Sequence, residues 1–221
     1  MNGAMNLEQA RFNMIEQQIR PWDVLDAQVL HLLSVVKRES FVPLAQRAMA
    51  FVDTEIALPG GQCMLAPRVE ARMLQDLAVQ KHEKVLEIGS GSGYMAALLA
   101  HRAQKVITLE IDAQLAQRAR ANLQASGVYN VEVRHADGSQ GVPSEAPFDV
   151  IVLSGSVAEV PQALLQQLKI GGRLGAIVGE EPVMCASFVM RIGDSQFRTT
   201  QPWDTLAPRL RNFPEPSRFH F

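Results

Sequence analysis

The chain is poor in the features that would place it in several large protein classes. It has two cysteines, Cys63 and Cys185, at no paired spacing. That excludes a disulfide framework and a cysteine-rich zinc module, and fits a reducing compartment. Five histidines (His31, His82, His101, His135 and His220) are scattered, with none at metal-ligand spacing, so no metal site is expected. Charges nearly cancel, with a net charge of -2. This gives no general attraction to nucleic acid or acidic membranes. No apolar run is long enough to span a bilayer, and no basic start leads into an apolar stretch as in a signal peptide. Met1 to Met5 are small and polar, and Met5 reads as an alternative start. A soluble, cytoplasmic protein is expected. There is no internal repeat, no low-complexity segment and no G-x-x-x-x-G-K-[ST] phosphate loop.

What remains is an ordinary globular composition, 47% hydrophobic and 20% charged over 221 residues. Such a length suits one domain with an appendage and can bury a sheet-and-helix core without staples. From Asn6 to about Met49 the apolar period is helical. Leu25, Val29, Leu32, Leu33 and Val36 share one face of a segment for which Asp23 is the expected N-cap. Phe41-Val42-Pro43 interrupts the pattern, and a short helix is expected through Ala48. Phe51 to Ala66 reads as loop, punctuated by Pro59, Gly60 and Gly61. A helix starts at Pro67 and carries a stripe of Val69, Met73, Leu74 and Leu77.

From Lys84 to about Val178 strands and helices alternate. Strands are expected at Val85–Ile88, Val106–Leu109, Val131–Arg134, Asp149–Leu153 and Arg173–Val178. Helices are expected at Tyr94–Ala103 and from Asp112 to Ser126, with Gly127 as the left-handed stop, and one more carries Pro161 in its first turn. Ala186–Arg191 and Phe197–Gln201, joined through Gly193-Asp194-Ser195, read as an antiparallel hairpin. The tail after Trp203, with Pro208, Pro214 and Pro216 among Arg209, Arg211 and Arg218, is expected to lie extended on the surface. The pattern predicts an α/β fold, a Rossmann-like, doubly wound, mostly parallel sheet with helices on both faces. Residues 1–66 form an N-terminal helical extension with a substrate-side loop, and 67–221 the compact domain, closed by the C-terminal hairpin.

The strongest chemical signal is Val85-Leu86-Glu87-Ile88-Gly89-Ser90-Gly91-Ser92-Gly93, a buried strand running into a glycine-rich turn and a helix. Such a turn lets backbone approach a ligand at the carboxyl edge of the sheet. Tyr94 stands where the dinucleotide fingerprint needs a further glycine. Glu87 would disfavour a pyrophosphate and suits a cationic amino acid group. The combination is the first motif of class I S-adenosylmethionine methyltransferases. Glu110, at the end of the second strand and followed by Ile111, suits the two ribose hydroxyls; a solvated strand-end carboxylate is the plainer alternative. Asp137-Gly138, after the third strand, suits an adenine amino group, although a bare Asp-Gly turn is common. Ser154-Gly155-Ser156 follows the fourth strand and faces the transfer site, or is simply a polar loop start.

From Phe41 to about Glu181 the chain resembles the protein-L-isoaspartate O-methyltransferases. The resemblance rests on Phe41-Val42-Pro43, Ala57-Leu58-Pro59, Val69-Glu70-Ala71-Arg72-Met73, Val85 to Tyr94, Asp137-Gly138, Ala146-Pro147-Phe148-Asp149, Gly171-Gly172-Arg173-Leu174 and Val178-Gly179-Glu180. It implies transfer of a methyl group from S-adenosyl-L-methionine to the α-carboxyl of isoaspartyl residues in damaged proteins, a protein-repair reaction. The cofactor would be held by Glu87, Gly89, Ser90, Gly91, Gly93, Glu110, Ile111, Asp137, Gly138 and Ser154. One departure stands out. The family's presumed catalytic serine lies in a Thr-Ile-Ser-Gln-Pro-like segment that here reads Gln62-Cys63-Met64-Leu65-Ala66-Pro67, placing Leu65 at the serine position. Leucine cannot donate a hydrogen bond. Cys63 is the one nearby substitute, with packing beside the cofactor as its plainer role. Arg68 is placed to attract an acidic acceptor, or is an ordinary helix-surface arginine. The expected acceptor is a protein or peptide carboxylate. The alternatives are a different small-molecule acceptor, or a member that binds cofactor without catalysis.

Overall fold

The computed structural model describes residues 6–215. The expectations for Met5, Pro216, Arg218 and His220 lie outside that range. Six α-helices occur among the described residues: α1 (Leu7–Met14), α2 (Ala27–Val35), α3 (Pro67–Leu77), α4 (Tyr94–Arg102), α5 (Ala113–Ala125) and the single-turn α6 (Gln162–Leu165). The strands are β1 (Ile56–Leu58), β2 (Gln62–Met64), β3 (Lys84–Ile88), β4 (Lys105–Glu110), β5 (Val131–His135), β6 (Phe148–Val157), β7 (Leu168–Glu180), β8 (Val183–Arg191) and β9 (Phe197–Asp204).

Strands β3–β9 form one sheet in the order β5-β4-β3-β6-β7-β8-β9. Neighbours from β5 to β7 are parallel, and β8 and β9 are antiparallel additions at one edge. Short apolar runs explain the parallel centre: Val85, Leu86, Val106, Ile107, Val150 and Ile151 are fully buried, as strands covered on both faces must be. The strand order reverses between β3 and β6. A crevice opens there at the carboxyl ends, where open α/β sheets bind ligands.

The N-terminal region packs on the same core. Met14, Ile19, Val29 and Leu33 join Leu74, Leu98 and Val106 in one apolar cluster. The stripe predicted for α3 is buried as Val69, Met73, Leu74 and Leu77. Burying four such side chains stabilises the layer by roughly 1.5–3 kcal/mol each.

Four expectations need correction. The N-cap of α2 is Asp26, whose carboxylate accepts from the backbone of Gln28 (2.7 Å) and Val29 (3.1 Å). Asp23 instead takes a left-handed conformation three residues earlier, and Leu25 is exposed. The segment through Ala48 is a 3₁₀ run, Leu44–Phe51. The stretch predicted as loop contains the β1–β2 ribbon, turning at Pro59–Gly61, with Ala57 opposite Cys63. Strands of three residues carry too little alternation to be read from sequence. Finally, Ser154-Gly155-Ser156 lies inside β6, at a register shift against β7, rather than after it. By contrast, Asp112 caps α5 as expected, accepting from Gln114 (2.8 Å) and Leu115 (3.0 Å).

Candidate functional site

The carboxyl ends of β3, β4, β5 and β6 surround an open, narrow cleft. Gly89 and Gly91 line it from the turn after β3, Glu110 and Ile111 from β4, Gly138 from the loop after β5, and Ser154 from β6. At Gly89 the backbone takes φ 95°, and a Cβ there would meet Leu210 Cδ2 at 3.0 Å. At Gly138 a Cβ would sit 2.3 Å from Ile88 Cγ2. Both positions therefore require glycine, one for its backbone angle and one for space.

Carboxylates order this turn. Glu110 accepts from the Gly91 backbone N–H (2.7 Å) through Oε2 and from the Asp112 N–H (3.0 Å) through Oε1. One side chain thus ties the glycine turn to the start of α5 while lining the cleft. Asp137 accepts from the Ser139 N–H (2.9 Å) and the Asn212 side chain (2.8 Å). Burial pushes the Asp137 carboxyl up, but the hydrogen bonds from Ser139 and Asn212 outweigh it and hold it below the usual range. Asp137 is exposed at the rim, whereas Gly138 is inside.

The structure places Glu87 differently from the sequence expectation. It is wholly buried beneath the turn and does not line the cleft. Thr108 Oγ1 donates to its Oε2 (2.6 Å) and Ser154 Oγ to its Oε1 (2.8 Å). Ser90 Oγ lies 2.6 Å from Thr108 Oγ1, so hydroxyls connect the turn to this carboxyl. A strand-end acid looks the same in sequence whether it points out or in; here the hydroxyls on β4 and β6 draw it inward. Burial pushes Glu87 up to about 7 against the pull of the Thr108 and Ser154 hydroxyls, with Glu70 and Glu110 adding to the rise. The folded protein then retains a proton near pH 6 that the unfolded chain, titrating near 4.5, releases. The stability linked to Glu87 is complete below 4.5 and is lost as pH rises through about 7. Urea unfolding at pH 5 and pH 7 should show that loss, and Glu87→Gln should reduce it by about 1–3 kcal/mol. An unchanged pH dependence in the variant would contradict the assignment.

Cys63 lies in the wall of the cleft. Burial, followed by the nearby Glu55 carboxylate, pushes its thiol up to about 12. Burial thus keeps the thiol protonated, which fits its plainer role as a packing group. Leu65 is half-buried and separates a small void beside the turn from an outer groove lined by Asp53, Glu55, Arg68 and Asp204. Arg68 does not stand free in that groove: it pairs with Asp53, and its guanidinium carbon stacks 4.2 Å from the Trp22 ring centroid. Gly93 turns the chain into α4 behind the cleft (φ 88°).

Sequence reasoning missed the tail's part in the site. Leu210, Arg211 and Phe213 line the cleft. The tail crosses the end of β6 through Ser156 N–H to Pro208 O (2.8 Å) and Leu210 N–H to Ser156 O (2.9 Å), and Arg211 donates to the carbonyl of Gly60 at the β1–β2 turn. The tail and the ribbon therefore meet above the glycine turn. Prolines and arginines in the tail excluded a helix but carried no sign of where the chain returns.

The chemistry of these walls, with glycine required at 89 and 138, a carboxylate beside the turn and apolar side chains at the rim, suits an adenosyl group. A parallel sheet with β8 and β9 added antiparallel, and an acid-lined glycine turn in place of a phosphate loop, define the class of Rossmann-like methyltransferases. The model of the protein-L-isoaspartate(D-aspartate) O-methyltransferase family matches residues 9–204, and the chain belongs to that family. The chain is 43% identical over 179 residues to a protein-L-isoaspartate O-methyltransferase of Methanoculleus marisnigri, covering 81% of this chain and 80% of the relative. It is 42% identical over 176 residues to protein-L-isoaspartate O-methyltransferase 1 of Syntrophobacter fumaroxidans, covering 80% and 82%. Among solved structures, a protein-L-isoaspartate O-methyltransferase candidate of Plasmodium falciparum, in complex with S-adenosyl-L-homocysteine, superposes with a TM-score of 0.77. The match covers 93% of this chain and 98% of that one at 20% identity, a likeness of fold. No helix among the described residues is long and apolar enough to cross a membrane.

Proposed function

We propose that the chain transfers a methyl group from S-adenosyl-L-methionine to the carboxylate of isoaspartyl residues in damaged proteins, a repair reaction of the cytoplasm. The observation that carries this is the cleft at the sheet's switch point, in a chain of this family, with Glu110 at its wall and glycine required at 89 and 138. Glu110 accepts the ribose hydroxyls, Gly138 and Ile111 bound the adenine, and Asp137 at the rim takes the adenine amino group. Ser90 and Gly91 present the turn, and Ser154 lies nearest the transfer end. The bound cofactor supplies a methyl group already activated by a sulfonium.

The protein's task is then alignment. The chain would hold the acceptor carboxylate in line with the methyl group, the bound cofactor would keep the carbon–sulfur electron pair as the methyl left, and no proton would have to move. A ready anion needs no general base, so a leucine at position 65 is compatible with the chemistry. Proximity and orientation alone supply roughly 7–11 kcal/mol. What Leu65 removes is a polar hold on the acceptor, so acceptor choice rests on the outer groove.

Incubation with S-adenosylmethionine labelled in its methyl group tests the proposal. An isoaspartyl peptide should gain a base-labile methyl ester, and the matched aspartyl peptide none. Labelling of neither peptide, alongside labelling of small molecules in a cell extract, would instead support the different-acceptor reading.

A further inference from the structure

A buried acid beside the glycine turn is not used by the assignments above. Glu70 lies in the first turn of α3, and its Oε2 receives the guanidinium of Arg38. No described residue donates to its Oε1. The side chain lines a small void together with Cys63, Gly89, Gly91, Tyr94 and Ser154. Four of these, Cys63, Gly89, Gly91 and Ser154, also line the main cleft, so the void is that cleft's inner end. A largely buried carboxylate with one oxygen unpartnered, in a side chain that lines a cavity, marks a place for a donor.

The surroundings select the kind of donor. Glu70, Glu87 and Glu110 converge on the turn closely enough that the other two each raise the Glu87 carboxyl. Among the described residues Arg38 is the only cation bonded to any of the three. Burial also pushes Glu70 up to about 7 against the pull of Arg38. The inner end of the cleft is therefore short of positive charge. Glu87 itself is closed off, since hydroxyls occupy both of its oxygens.

We propose that Glu70 Oε1 accepts the α-ammonium of the cofactor's amino acid chain, taking the role that sequence alone gives to Glu87. This rests on the S-adenosylmethionine reading above. Arg38 fixes the carboxylate from behind, and its second nitrogen donates to the carbonyl of Leu65 (2.9 Å). The same guanidinium thus sets the acceptor-side wall and the cofactor's amino acid end together.

Calorimetric titration of the wild type and Glu70→Gln tests this with three ligands: S-adenosylhomocysteine, its analogue lacking the α-amino group, and 5′-methylthioadenosine, which lacks the amino acid end. The variant should bind S-adenosylhomocysteine about 10- to 100-fold more weakly, as for one charge-assisted hydrogen bond in a buried site. It should bind methylthioadenosine as the wild type does, and it should no longer distinguish the deaminated analogue from the parent. Equal weakening of all three ligands, or no weakening of any, overturns the proposal. If Glu70→Gln fails to fold, the wild type decides: equal affinity for the deaminated analogue and the parent overturns it. Wild type that binds none of the three removes the cofactor reading itself, and this assignment with it.

Discussion

Replacing Glu110 with alanine should weaken S-adenosylhomocysteine binding by roughly a hundredfold. Hydrogen bonds to a charged group contribute about 1.5–3 kcal/mol each, and the ribose offers two donors. The side chain also holds the Gly91 and Asp112 N–H groups, so its loss loosens the turn that the ligand needs. Glu110→Gln should fall between, because one amide oxygen can serve the backbone or the ribose but not all four donors. Thermal melting without ligand should fall by a few degrees, since Glu110 is buried and its loss leaves the Gly91 and Asp112 N–H groups without their acceptor. A variant that binds as the wild type does would show that the ribose lies elsewhere.

A second large effect is expected from Arg38. Its side chain is 0% exposed and reaches Glu70, the Leu65 carbonyl and, at 5.1 Å from the ring centroid, the face of Tyr94. Arg38→Met leaves Glu70 as an unpaired buried acid, and removing one partner of such a pair costs about 3–5 kcal/mol. For a chain of this size that lowers the melting temperature by roughly 6–20 °C. Arg38→Met combined with Glu70→Leu should recover much of the stability, because an apolar pair of similar volume avoids the desolvation cost. Recovery of stability without recovery of cofactor affinity would separate the structural role of the pair from its role at the cleft. Additive losses in the double variant would contradict the coupling.

These two residues also show what the sequence reveals and what it hides. Glu110 is legible because it ends an apolar strand after a glycine turn, and strand, turn and acid are consecutive or nearly so. Val85 to Gly93 and Asp137-Gly138 are legible for the same reason: the parallel sheet brings successive strand ends to one edge, so periodicity alone places them there. Arg38 and Glu70 are 32 residues apart, and each reads as a helix-surface charge until the fold buries both. Glu87 misleads in the opposite sense. Its motif is clear, but its direction is decided by Thr108 and Ser154, which lie on two neighbouring strands. Leu210 and Phe213 have no local signal; their position follows from where β9 ends and where Ser156 offers a backbone partner. The Asp26 cap was missed for a smaller reason, since Asp23 stands only three residues earlier and carries the same side chain.

The most direct test of the cleft assignment is a crystal structure of the protein with S-adenosylhomocysteine. The adenine should lie between Ile111 and Gly138, the ribose hydroxyls on Glu110, and the amino acid end against the Ser90-Gly91 turn and Glu70. Density for the ligand elsewhere, or a cleft filled by Leu210 and Phe213 at saturating ligand, would contradict it.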